Sequence, residues 1–87
     1  MENRVSDDFQ AYYNQYRSDH PTGTIDVNDV KEIRYNAFLA LIDVFSTAKN
    51  KRDIKKSAKM LLDNKHEVQS YGLWKYLNEE LLKEALK

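Results

Sequence analysis

The chain has no cysteine, and its 87 residues include only one proline and two glycines. Without thiols there is no disulfide stapling, no thiolate catalysis and no cysteine-based metal centre. With so little glycine there is no phosphate-cradling loop and no nucleophile elbow. Long apolar runs are missing too. The longest, Ala37-Phe38-Leu39-Ala40-Leu41-Ile42, is six residues, against the roughly 20 needed to span a bilayer. The opening stretch, Met1 to Asp8, is polar and lacks the apolar segment of a secretory signal. A cytoplasmic protein without a membrane partner is therefore expected.

An excess of charge is also absent. Fourteen basic and fourteen acidic side chains leave a net charge of zero. That argues against a dedicated nucleic-acid binder and against a polyanionic mimic. The charge is unevenly placed, however. Residues 1–30 carry two basic and six acidic groups, whereas residues 31–66 carry nine basic and four acidic.

What the chain does have is enough apolar content, 41%, for one core. Residues 1–87 are read as a single helical domain, near the small end of what folds alone. Strand-like alternation is nowhere sustained, and helical spacing is found along most of the chain. Ser6 is placed to cap a first helix, with Asp7 and Asp8 favourable against its dipole. Phe9, Tyr12, Tyr13 and Tyr16 share one face of it. Pro21 and Gly23 then signal a turn. A second helix is expected from near Asp26 to Ala48. Val30, Ile33, Ala37, Phe38, Leu41, Phe45 and Ala48 form its main stripe. Leu39, Ile42 and Val44 make its middle apolar nearly all round, which suits a central helix with neighbours on several sides.

Asn50 is expected to cap a third helix that buries Ile54, Ala58, Leu61 and Leu62 and ends at Asp63-Asn64. Asn64 and Glu67 resemble a capping box for a fourth, and Ser70 is an alternative start. The fourth helix is expected to run to the end of the chain, with Gly72 as a weak point inside it. The fold class is all-α: a compact antiparallel bundle of three to four helices with helix 26–48 central.

The candidate site is a basic run. Lys49, Lys51, Arg52, Lys55, Lys56 and Lys59 are opposed only by Asp53. Five of them, Lys51, Arg52, Lys55, Lys56 and Lys59, fall on an arc of roughly 140° beside the apolar stripe of the third helix. Such an arc is often merely a solvated face. Lys51 and Arg52, however, sit in the first turn, where the helix dipole disfavours positive charge. Helix stability alone would not put them there. The last helix carries more apolar residues than one buried stripe needs, so Tyr71, Leu82 and Leu86 are assigned to the same partner-binding surface.

Other constellations are weaker. Tyrosines at helical spacing usually pack on a core with wet hydroxyls. A helix-turn-helix over residues 51–77 lacks the tight glycine-containing turn and a base-reading second helix. His20 and His66 lie far apart, and neither belongs to a three-ligand set. No metal, cofactor or catalytic residue is assigned, and an enzyme is not expected. The chain is read as a small non-enzymatic protein-binding module. Regulators, inhibitors and immunity-type proteins of bacteria or phages have this general appearance. Its expected partner is a protein with an acidic surface, and a second copy of the chain is another candidate. Contact of the same arc with nucleic-acid phosphates is the alternative.

Overall fold

The computed structural model describes residues 4–19 and 29–87. Among these residues there are five α-helices and no strand. They are α1 (Asp7–Asp19), α2 (Val30–Thr47), α3 (Lys51–Asp63), α4 (Lys65–Ser70) and α5 (Glu79–Ala85), with a 3-10 turn at Trp74–Tyr76. The architecture is an all-α bundle. None of these helices is long and apolar enough to cross a membrane.

Each boundary has a local cause. The Phe9 amide donates to the Ser6 side chain at 3.3 Å, so α1 starts where the sequence indicates. The helix at the centre begins later than its apolar pattern suggested. Asp29 is extended, with φ −97° and ψ 97°, and its carboxylate accepts from the Glu32 amide at 3.1 Å. Asp29 and Glu32 thus have the spacing of a capping box. The expected start at Asp26 is corrected accordingly; residues 26–28 lie outside the described residues.

Between α2 and α3 only Ala48, Lys49 and Asn50 make the turn. Asn50 and Asp53 bond reciprocally: the Asp53 amide donates to Asn50 Oδ1 at 2.8 Å, and Asn50 Nδ2 donates to Asp53 Oδ2 at 2.9 Å. Arg4 fastens the other side of this turn. Its guanidinium donates to the Ala48 carbonyl at 2.7 Å and lies 5.7 Å from the Phe45 ring. A cation at a helix carboxyl end is favoured by the dipole.

The largest departure from the sequence reading is at the carboxyl end. The expected single helix is three pieces. Asn64 does not cap α4; its side-chain amide donates to the Met60 carbonyl at 2.7 Å and closes α3 instead. At the end of α4, Gly72 has φ 74°. The Gly72 amide donates to Gln69 at 2.9 Å and the Leu73 amide to Val68 at 3.2 Å. These are the two bonds of a Schellman cap, and the buried pair Val68 and Leu73 supplies its apolar contact. A side chain at position 72 would meet nothing within 4 Å. The glycine is therefore demanded by the left-handed backbone, not by crowding. The 3-10 turn follows, and Asn78 restarts the helix by accepting from the Glu80 amide at 3.0 Å. With α4 only six residues long, no recognition helix exists, and the helix-turn-helix reading falls.

The core lies between these pieces. Phe9, Ile42, Phe45, Ala58, Leu61 and Leu82 are all fully buried within it. Val5 bridges to Leu77, and the Ser6 amide donates to Tyr76 at 3.0 Å, so the amino-terminal segment braces the turn before α5. The tyrosines pack on this core. Tyr12 stacks on Tyr76 at 5.6 Å, Tyr16 meets Tyr35 at 5.8 Å, and Tyr35 meets Tyr71 edge-on at 5.7 Å. Rings that face one another this way leave few faces open to stack on bases.

Candidate functional site

Helix α3 carries the basic arc. Its inner face buries Ser57, Ala58 and Leu61. Ser57 fits there because its hydroxyl donates within the helix, to the Asp53 carbonyl at 2.8 Å. With Ser57 joining the buried face, the helix is rotated so that Lys51, Arg52, Lys55, Lys56 and Lys59 are all exposed. Lys51 and Lys55 also border the edge of the core, where they line a hollow with Ile54 and Ala85.

None of these cations forms an ion pair or a ring contact among the described residues, and neither does Lys49. The rest of the chain differs. Arg4 holds carbonyls. Arg17 lies over Tyr13 and Lys75 over Tyr76. Arg34 pairs with Glu67, Lys65 and Lys83 with Glu79, and Lys87 with Glu84. Outside the basic run, Lys31 alone has no partner of these kinds among the described residues.

The arc also works against its own helix. Lys51 and Lys55, Arg52 and Lys56, and Lys55 and Lys59 are like-charged neighbours at i, i+4. Each such pair destabilises a helix by about 0.2–0.5 kcal/mol. Lys51 and Arg52 occupy the first turn against the dipole. Asp8 and Asp19 of α1 and the capping Asp29 form no ion pair with the arc.

The apolar half of the candidate surface is placed differently from the sequence reading. Leu82 is fully buried in the core and is unavailable to a partner. Leu86 is half-buried and packs on the same core. Tyr71 is half-buried beneath Tyr35 and Phe38, and its hydroxyl donates to Glu67 at 3.0 Å. Burial, followed by that bond to Glu67, pushes the Tyr71 hydroxyl up from its ordinary pKa. Glu67 also accepts from both Nε and Nη2 of Arg34. The Arg34 guanidinium holds the Glu67 carboxyl below its usual value. The apolar surplus assigned to a last helix disappears because that helix does not exist. Its apolar residues are buried in the core or packed against it from three separate pieces.

A surplus does exist elsewhere. One flank of α2 is open: Val30 is 67% exposed, Ile33 40% and Val44 39%, and Ala37 and Ala40 are exposed between them. The buried side of α2 is formed by Phe38, Leu39, Ile42 and Phe45. Three of the seven residues in the main stripe that the sequence assigned to the core, Val30, Ile33 and Ala37, therefore face outward. The spacing of Val30, Ile33, Ala37, Ala40 and Val44, alternately three and four, is visible in the sequence. It is hidden there by the equally apolar residues on the other side. Beside this flank, Leu41 and Val44 of α2 and Asp53, Lys56, Ser57 and Met60 of α3 line a shallow hollow of about 200 Å³. Met60 is 41% exposed.

No group of three or more histidine, aspartate or glutamate side chains among the described residues is arranged to hold a metal ion. His66 is exposed, and His20 lies outside the described residues. No protein-family model matches the chain, and neither a curated protein nor a solved structure is significantly similar to it.

Proposed function

We propose that the chain is a small non-enzymatic protein-binding module that engages an acidic protein surface through α3. One observation carries this. Seven of the nine other cations are partnered, whereas the five on the α3 arc are exposed, unpaired among the described residues and mutually repulsive. An acidic partner would remove repulsion that the fold itself leaves in place, and it would bind faster at low salt. The contact residues in this reading are Lys51, Arg52, Lys55, Lys56 and Lys59. Tyr71, Leu82 and Leu86 are dropped from the contact.

A tagged pull-down from the source cells tests this, run beside the triple variant Lys55→Glu, Lys56→Glu and Lys59→Glu. Wild-type protein is expected to retain a partner that the variant loses, with both giving the same helical circular dichroism. Retention of every partner by the variant would remove α3 from the contact. Phosphate binding is the competing outcome. Neutralising four or five phosphates on duplex DNA would give a log K against log[salt] slope of about −4.

A further inference from the structure

Beside the basic arc lies an apolar surface that the fold leaves uncovered. Val30, Ile33, Ala37, Ala40 and Val44 fall within an arc of about 80° on α2. They repeat at the three-and-four spacing with which one helix meets another. From Val30 to Val44 the stripe is about 21 Å long, four turns of helix. Ala37 and Ala40 stand at its middle, where small side chains let a second backbone come close. Met60 continues the apolar surface onto α3, across the hollow it shares with Leu41 and Val44.

Charge identifies the occupant. Lys56 lines that hollow. Arg52 and Lys59 are one turn to either side of Lys56, exposed and unpaired. The Asp53 carboxylate also lines the hollow and accepts from the Asn50 side-chain amide, and the three cations Arg52, Lys56 and Lys59 outweigh its single negative charge. A helix lying on the α2 stripe would therefore meet positive charge along its α3 side. An antiparallel second copy fits poorly. In an antiparallel two-fold pair of α2 helices like flanks meet, so each α3 would confront the other, cation against cation.

We propose that the open flank of α2, with Met60, takes an amphipathic helix of another protein whose apolar seam repeats at three-and-four spacing and whose flank toward α3 is acidic. This helix-in-groove mode rests on the protein-binding reading of α3 and names the shape of its partner.

The test is photo-crosslinking in an extract of the source cells. Benzoylphenylalanine is placed at Val44 in one variant and at Met60 in another, and the captured peptides are sequenced by mass spectrometry. Both positions are expected to capture the same segment of another protein, with about four turns of apolar three-and-four spacing and a net negative charge. The further change Ala37→Glu should lower the yield at least tenfold without altering the circular dichroism, since Ala37 is exposed. Adducts only between copies of this chain overturn the proposal. So do captured segments that are basic or lack the spacing, yields indifferent to Ala37→Glu, or no adduct at all. The two ideas can fail separately. If Arg52→Glu, Lys56→Glu and Lys59→Glu together abolish partner retention while Ala37→Glu leaves it intact, the α3 contact stands and the groove falls.

Discussion

The segment from Lys65 to Lys87 and the outer surface of α2 and α3 use the same residue types in opposite ways. In the first, charge closes on itself. Lys65 reaches Glu79 at 2.6 Å, Lys83 meets the same carboxylate at 3.3 Å, and Lys87 meets Glu84 at 3.4 Å. Its leucines turn inward, with Leu73 and Leu82 buried. On the second surface the lysines of α3 have no such partners, and Val30, Ile33, Val44 and Met60 stay exposed. Carboxylates are not scarce, since the chain has as many acids as bases. The difference is one of placement. It separates side chains engaged in the fold from side chains the fold leaves exposed.

The sharpest way to break this comparison uses two neighbours on α2. Phe45 is fully buried, and Val44, one residue before it, is 39% exposed. Phe45→Ala is expected to cost about 3–5 kcal/mol. That is a large share of the roughly 5–15 kcal/mol that holds a small domain together. Val44→Ala should stay within about 0.5 kcal/mol, as for an ordinary surface change. Urea unfolding of the two variants measures both. Similar losses would show that the α2 flank belongs to the core.

Local chemistry explains which parts of this division were legible in the sequence. The caps at Ser6 and Asn50 could be read because each rests on a side chain and an amide three residues on. Fold class and the exposed α3 arc followed from periodicity. The carboxyl-terminal pieces did not, because Val68, Leu73, Leu77 and Leu82 suit one long helix as well as three short ones. The choice is made by Gly72, whose left-handed backbone is stabilised by the burial of Val68 against Leu73, a tertiary effect. The open flank of α2 was hidden for a related reason. Periodicity shows that both sides of α2 are apolar, but which side meets a neighbour depends on where α1 and α3 pack.

A second prediction sets stability against binding. Lys51→Glu and Arg52→Glu would put acids in the first turn of α3, where the dipole favours them. Each would also lie four residues before a lysine, Lys55 or Lys56, in the favourable order for an ion pair. Each change should raise stability by roughly 0.3–1 kcal/mol, seen as a higher thermal midpoint, while partner retention falls. Loss of stability would mean that the fold does use these cations. Unchanged retention would confine the contact to Lys55, Lys56 and Lys59.

The smallest effect is expected on the closed side, and it depends on pH. Hydrogen bonds from Arg34, and then from Tyr71, hold the Glu67 carboxyl below its ordinary value, and Lys65 followed by Lys83 does the same for Glu79. A carboxylate whose pKa is lowered by folding stabilises the native state above its unfolded value, about 4.3 for glutamate. That contribution is lost as pH falls through the lowered native value. At pH 7 the wild type should therefore have a higher thermal midpoint than a Glu67→Gln, Glu79→Gln variant, and its midpoint should fall more steeply toward pH 3, the gap closing below about pH 4.3. Because these pairs are exposed, 1 M salt should narrow the gap. Parallel acid limbs would show that the pairs only decorate the surface, and the contrast with α3 would then rest on geometry alone. A gap at neutral pH that closes with acid and narrows with salt would show that charge in the Lys65–Lys87 segment is engaged in the fold, as charge on α3 is not.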